Sequence, residues 1–431
     1  MKLLGIETSC DETAAAVVQD GTLLLSNVIN SQIDIHAIYG GVVPEVAARS
    51  HLEVMIPVVE KALSDAESTW DDIDGIAVTY APGLVGSLLI GTLAARTLAL
   101  LKNKPLYPVH HVEGHVYANF IRSELVEGRT QMVDGEGQID SSDSPTTNYP
   151  LPTTALSSAP NFPLLALIVS GGHSQLVLFR GHGDYELLGQ TQDDAVGEAF
   201  DKVAKIIGLP YPGGPSIAQA ALSGDAKAFD FPKAQLKCPA GCTHGLEDGR
   251  WKMEDGESRS ATRYIPNATF QTPNTTRQAC NYYSFSFSGL KTAVLRRVQA
   301  EVGESYDFPS HQLPQRVSDS LRADVAASFQ RIACETLVDK TEKAFKNYQP
   351  ASVVIAGGVA ANQELRRILS ERLPLTITYA PMNLCTDNAA MIASLGYYYA
   401  QHNHPTDPRN LEVIPSLSMT KTAWAGATNS I

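Results

Sequence analysis

Short apolar runs break off at polar or glycine turns along this chain, and stretches of helical period separate them. Lys2 to Glu7 reads as a buried strand that stops at the turn Thr8-Ser9-Cys10-Asp11-Glu12-Thr13, with Ala14 to Val18 as a second strand. Asp20-Gly21 then supplies a hairpin turn into Thr22 to Val28. Much later, Leu164 to Val169, the turn Ser170-Gly171-Gly172-His173 and the returning strand Gln175 to Phe179 repeat that order, which implies an internal duplication. Ser352 to Ala356, halted by Gly357-Gly358, and Leu375 to Ala380 read as further strands. Strand pairs alternating with long helices give an α/β protein with helices on its sheet faces. No G-x-G-x-x-G joins a strand to a helix and no G-x-x-x-x-G-K-[ST] occurs, so dinucleotide and P-loop folds are excluded.

Helical period marks Glu45 to Leu63, the run opened by Pro82-Gly83-Leu84-Val85-Gly86-Ser87 and ending near Leu101, and His110 to Ile121. It returns at Ala195 to Ile207, Thr292 to Val302, Val317 to Tyr348, Ala361 to Leu373 and from Asp387 through Ala400. At 431 residues the chain exceeds what one core usually supports. We expect one lobe over 1–121 and a second over 163–400, with a polar, mobile insertion at 122–162. A second insertion spans about 233–282, and 401–431 form a tail. A net charge of -13 argues against a general nucleic-acid coat protein. Positive charge does gather at Lys291, Arg296 and Arg297, and at Arg366, Arg367 and Arg372, where each group reads most simply as a solvated helix face. Six scattered cysteines form no dense framework, and the N-terminus reaches Glu7 without the pattern of a signal or transit peptide, so the expected compartment is the cytoplasm. Ser87 and Arg96 interrupt the apolar run Leu84 to Leu101, which therefore reads as a buried helix and not a membrane span.

Three turns at strand ends, Thr8 to Thr13, Ser170 to His173 and Gly357 to Val359, can cradle phosphates with their backbone N–H groups. In this order they point to a nucleotide gripped between two lobes. His111 and His115, at i and i+4, share one helix face and can share a metal ion, with His110 the bystander. A zincin protease needs Glu directly after the first histidine, where this chain has Val112. Asp387 is a plausible oxygen ligand, or simply a helix N-cap. Asp193, Asp194, Glu198 and Asp201 can bind ribose hydroxyls or orient a nucleophile, or form a solvated acidic face. Cys238, Cys242, His244 and Cys280 have the look of a zinc clip but lie in a polar insertion. Asn267 and Asn274 open glycosylation triplets with nothing to indicate secretion.

Nine motifs in order resemble one family. They are Ile6-Glu7-Thr8-Ser9-Cys10-Asp11-Glu12-Thr13, Pro82-Gly83-Leu84-Val85-Gly86-Ser87-Leu88, His111-x-x-x-His115 and Val169-Ser170-Gly171-Gly172-His173-Ser174. Gly197-Glu198-Ala199-Phe200-Asp201-Lys202, Tyr211-Pro212-Gly213-Gly214-Pro215 and Phe285-Ser286-Phe287-Ser288-Gly289-Leu290-Lys291-Thr292 follow. Gly357-Gly358-Val359-Ala360-Ala361-Asn362 and Thr386-Asp387-Asn388 close the series. The chain resembles the TsaD-type tRNA N6-adenosine threonylcarbamoyltransferases in their bacterial form. The resemblance implies an actin-like, two-lobed α/β fold of the sugar-kinase and heat-shock ATPase superfamily, with duplicated mixed-sheet subdomains. It implies one divalent metal ion, iron or zinc, on His111, His115 and Asp387, and an adenylate substrate or ATP in the cleft. Contacts to threonylcarbamoyl-adenylate are implied for Ile168, Val169, Ser170, Gly171, Gly172, Asp201, Gly214 and Asn362. A family acid just after Pro215 has no counterpart in Ser216-Ile217-Ala218, and both insertions are longer than the family pattern.

The implied reaction moves the threonylcarbamoyl group to the N6 amine of the adenosine adjacent to the anticodon, in tRNAs reading A-starting codons, with release of AMP. The implied partners are tRNA, a TsaB-type paralogue, a TsaE-type ATPase and a TsaC-type enzyme that supplies the adenylate, with no membrane. A small-molecule kinase on the same fold would leave His111 and His115 unexplained. A non-catalytic, nucleotide-gated scaffold would tolerate their loss.

Overall fold

The computed structural model describes residues 1–123, 159–234, 236, 250–252, 258–260, 281–402 and 405–419. The first half runs β1 (Lys2–Glu7), β2 (Glu12–Gln19), β3 (Leu23–Ser31), α1 (Ile33–Ala37), α2 (Pro44–Asp65), β4 (Gly75–Ala81), α3 (Val85–Lys102), β5 (Leu106–His110), α4 (His111–Tyr117) and β6 (Arg122–Ser123). The second runs β7 (Leu164–Val169), β8 (Ser174–Gly181), β9 (Asp184–Gln190), α5 (Val196–Ile207), α6 (Gly213–Ala221), β10 (Arg250–Lys252) and β11 (Ser258–Ser260). It continues through α7 (Ser288–Glu301), α8 (Asp319–Tyr348), β12 (Ser352–Ala356), α9 (Gln363–Arg372), β13 (Ile377–Tyr379), α10 (Met382–Cys385) and α11 (Ala389–His402).

The hairpin echo is a real duplication. Among the described residues β10 and β11 pair only with each other, while the six-stranded sheet has the order β5-β4-β1-β2-β3-β6 and the five-stranded one β13-β12-β7-β8-β9. In each, an antiparallel three-strand meander is extended by strands running parallel to its first member. This repeated mixed sheet with covering helices is the actin-like arrangement. The first turn, Asp20-Gly21, has both residues at positive φ (51° and 70°), as a two-residue hairpin requires.

Alternation along β1 and β2 assigns the two faces of the first sheet. Leu4, Ile6, Ala15 and Val17 pack with Met55, Val58 and Val59 of α2 and Ala95 of α3. Leu3, Ala14, Ala16 and Val18 belong instead to the large core shared with α4, α11 and the second sheet. The helix on that face comes from the far end of the chain. A side chain at Gly5 would strike the Ala389 carbonyl at 2.2 Å and one at Gly396 would strike Ala77 Cβ at 2.4 Å, so two glycines let α11 lie against the strands.

Two helical readings change. His110 to Ile121 is not one helix, because Leu106–His110 forms edge strand β5 and the helix begins only at His111. α3 is the one helix among the described residues long and apolar enough to cross a membrane, but it packs on α2 and β4. It is not wholly buried. Val85, Leu89, Leu93 and Leu100 form an exposed outer stripe, beside exposed Leu52 and Ile56 of α2.

Residues 405–419 lie as a strap over this lobe. Arg96 of α3 donates to the carbonyls of Pro408 (2.5 Å), Leu411 (3.3 Å) and Arg409 (2.7 Å). Thr406 N–H donates to Leu106 O, which covers the edge of β5, and Gly83 N–H donates to Pro415 O. Arg96→Ala removes three charge-assisted bonds and should cost about 1–3 kcal/mol locally. Hydrogen exchange should show the Thr406 and Ile414 amides losing protection while those of β1 keep theirs.

Candidate metal centre

β5 delivers the chain to the site. His110, its last residue, accepts from Glu113 N–H at Nδ1 (3.4 Å) and so caps α4, while its Nε2–H donates to Leu417 O (3.2 Å). Burial keeps this imidazole neutral, with a pKa lowered to about 4. Both of its nitrogens serve the fold, so His110 stands outside the ligand set.

One turn of α4 sets His111 and His115 side by side, ring centroids 4.7 Å apart at 79°. Asp387 closes the group from the other half of the chain, its Oδ1 3.5 Å from His111 Nε2 and 3.2 Å from His115 Nε2. One ligand atom from each residue lies within 4.8 Å of the others. Asp387 is not the cap of α11. Asn388 has that task, accepting from Met391 N–H (3.0 Å) and donating to the carbonyls of Leu384 and Thr386.

Behind His111 stands Glu7, with 0% exposure at the end of β1. Its carboxylate accepts from Ser9 N–H (2.5 Å) and Thr79 Oγ1–H (2.5 Å), and lies 3.1 Å from His111 Nδ1. Ser9 Oγ is also 3.1 Å from Nδ1. Burial by itself would raise the Glu7 pKa, yet His111 holds it below the ordinary value. Burial would likewise lower His111, but Asp387 and then Glu7 raise it to about 9. Asp387, which burial would raise, is drawn well below the usual carboxylate range by His111 and then His115. Glu7 thus claims the Nδ1–H of His111 and turns its Nε2 toward Asp387.

These residues fit a metal ion. Both ring nitrogens of His115 are buried without a hydrogen bond among the described residues, and its Nε2 faces Asp387 without hydrogen-bond alignment. Two imidazole nitrogens and one carboxylate oxygen converging on a point are the donor set of zinc and of non-haem iron. His173 sits beside them, its ring centroid 6.4 Å from that of His111. Burial, then repulsion from His111 and His115, lowers its pKa to about 3.

The expected substrate contacts gather on the second lobe. Ile168 and Val169 are buried in β7, so only their main chain can face a ligand. Ser170 to Gly172 form the following turn, where Gly197 brings α5 so close that a Cβ would meet Ser170 O at 2.6 Å. A Cβ at Gly171, Gly172, Gly214 or Gly358 would meet nothing within 4 Å, which leaves open space beside exposed backbone at the first two and half-buried backbone at the others. Gly357 (φ +88°) turns the end of β12 beside β7, where a Cβ would meet Val169 O at 2.5 Å. Asp201 accepts from Gly213 N–H (2.7 Å), and burial raises its pKa despite that bond. Asn362 caps α9 through Leu365 N–H (3.0 Å) and donates to Gln330 (2.9 Å).

The other acids on the Asp193–Asp201 stretch are committed elsewhere. Asp193 accepts from the N–H groups of Phe287 and Ser288 at the start of α7, Asp194 pairs with Lys202, and Glu198 pairs with the same lysine. Of the basic groups, Arg366 is not on a solvated face but is 5% exposed. Cys238, Cys242, His244, Cys280, Asn267 and Asn274 lie outside the described residues. Glu7 is a residue of this group to which the sequence reading gave no role of its own. Its signal was a carboxylate closing a strand that is otherwise apolar after Lys2.

A family model described as TsaD: tRNA N6-adenosine threonylcarbamoyltransferase matches residues 23–135, 151–247 and 250–394. A protein of Thermomicrobium roseum named tRNA N6-adenosine threonylcarbamoyltransferase is 44% identical over 414 residues, 94% of either chain. One of the same name from Dehalococcoides mccartyi is 41% identical over 420 residues, covering 97% of this chain and 100% of its own.

The pKa displacements set a pH signature for the chelated protein. His111 is raised from 6.5 to about 9, so the stability it lends is fully present below about 6.5 and is lost as pH rises through about 9. Glu7 and Asp387, both lowered, stay ionised across that window. The melting temperature of chelated wild type should therefore fall between pH 6.5 and 9 on account of this group, and Glu7→Gln should show a shallower fall. Parallel melting curves across that range provide the check.

Proposed function

The chain belongs to the TsaD family of tRNA N6-adenosine threonylcarbamoyltransferases, and from that premise we propose how its cleft is used. The donor is threonylcarbamoyl-adenylate, supplied by a TsaC-type enzyme. The acceptor is the N6 amine of the adenosine adjacent to the anticodon in tRNAs reading A-starting codons, and AMP leaves. The observation that carries this reading is the meeting of His111, His115 and Asp387 beside the glycine cradle of the second lobe.

An exocyclic amine is a weak nucleophile because its lone pair is delocalised, so holding the electrophile in place must supply much of the rate. The open backbone at Gly171, Gly172, Gly214 and Gly358 is suited to the adenylate, with Asp201 and Asn362 at its rim. His111, His115 and Asp387 would hold the metal, iron or zinc, which when bound supplies Lewis-acid polarisation of a carbonyl or phosphoryl oxygen. An anticodon loop presents its bases single-stranded, so the target needs no duplex opening.

We assign the outer stripe of α2 and α3 to the TsaB-type partner. Leu52, Ile56, Val85, Leu89 and Leu93 form an exposed apolar surface, which suits a protein and not the phosphates of RNA. A net charge of -13 accords with tRNA being recruited through a complex that includes the TsaE-type ATPase. These substrates make the cytoplasm the working compartment.

Purified chain, the expected partners, enzymatically made adenylate and unmodified tRNA should transfer labelled threonine to the tRNA. His111→Ala should abolish the transfer. No label with folded, metal-loaded components would overturn the reading in favour of a non-catalytic scaffold. Leu89→Glu with Leu93→Glu should weaken association with the TsaB-type partner by about 30-fold or more in sedimentation, while metal affinity stays at the wild-type value.

A further inference from the structure

A guanidinium buried without a carboxylate partner among the described residues calls for a reason. Arg366 lies on α9, one turn past Asn362, and is 5% exposed. Its neighbours Arg367 and Arg372 pair with Glu364, Glu371 and Asp339, whereas Arg366 has no ion-pair partner among the described residues. Its partners are neutral. Nε donates to Ala360 O (2.5 Å), Nη2 points at Cys385 Sγ (3.6 Å) and Met382 Sδ (3.7 Å), and the cation lies over the Tyr379 ring, 3.8 Å from its centroid. Cys385 Sγ in turn donates to Ala380 O (3.3 Å).

Those contacts bridge two halves of the site. Ala360 sits two residues before Asn362, in the Gly357 to Asn362 turn at the end of β12. Cys385 ends α10, two residues before Asp387. A guanidinium is planar and holds its donors at fixed spacing, so one side chain sets how far the glycine turn stands from the carboxylate. Stability alone would not call for a charge here, because an apolar side chain of similar volume usually serves a buried seat at least as well. We propose that Arg366 is a positioning residue, which aligns Asp387 of the metal centre with the Gly357–Asn362 wall of the adenylate cleft. The proposal rests on His111, His115 and Asp387 holding a metal.

The test compares Arg366→Met and Arg366→Lys with wild type by titrating the chelated chains with Co2+, read by absorption, and with AMP, read by calorimetry. Melting temperature is recorded alongside. Arg366→Met should melt near wild type but bind Co2+ about ten-fold more weakly, in the range that outer-sphere partners command, and bind AMP more weakly too. Arg366→Lys should not restore either affinity, since one ammonium cannot span Ala360 O and Cys385 Sγ. A purely structural role would lower the melting temperature and leave both affinities of the folded protein unchanged, which overturns the proposal. If Arg366→Met fails to fold, Arg366→Lys decides, and wild-type affinities there overturn the proposal as well. Failure of wild type to bind Co2+ would sink the metal reading and this proposal with it. Normal wild-type binding with unaltered variants would sink this proposal alone.

Discussion

A carboxylate with no exposed surface is tolerable only when donors surround it, and Glu7 collects them from three directions. Ser9 N–H comes from the following turn, the Thr79 hydroxyl from the neighbouring parallel strand, and the His111 ring from the helix after β5. The same three bonds therefore satisfy the charge, fix the end of β1 against β4, and orient the first histidine of the candidate metal group. Sheet and site are not separable here: the core cannot accept Glu7 unless the histidine is in its seat.

The second lobe places its functional groups by close approach of backbone. Gly197 and Gly357 draw α5 and the end of β12 against the Ser170 turn, while Gly171, Gly172, Gly214 and Gly358 face open space. Asp201 ties α5 to α6, and Asn362 starts α9. A surface of bare peptide results, bounded by helix starts, opposite His111 and His115 of α4 and Asp387 just before α11. Two different chemistries face each other, bare peptide suited to an anion on one side and side chains suited to a metal ion on the other.

Much of this was legible in the sequence where local pattern and tertiary role agree. Leu164–Val169 and Ser352–Ala356 are apolar runs cut off by glycine turns, and their bounds in the structure are the expected ones. β5 was not legible, because Pro108 breaks its strand character and His110 looks helical beside His111. β9 carries Asp184 and Glu186 outward at a sheet edge and gives no apolar run. The i, i+4 spacing of His111 and His115 showed a shared face, but Asp387 is joined to them only by folding, so local pattern left it open as a cap. Arg366 looked like one more surface charge because Met382 and Cys385 of α10 and Tyr379 of β13, which no window around α9 contains, help to cover it.

The crossing of α11 onto the first sheet has a consequence for how the protein is made. Leu3, Ala14, Ala16 and Val18 line the face that this helix covers, yet the helix begins only at Ala389. On the ribosome, the N-terminal strands emerge with that face bare until synthesis has passed through α11. At roughly 5–20 residues per second the wait is on the order of tens of seconds. Through that interval an apolar sheet surface is open to the solvent and to other nascent chains. Full completion of the first lobe thus waits on α11, and a chain cut short before it would lack a wall of its own N-terminal core.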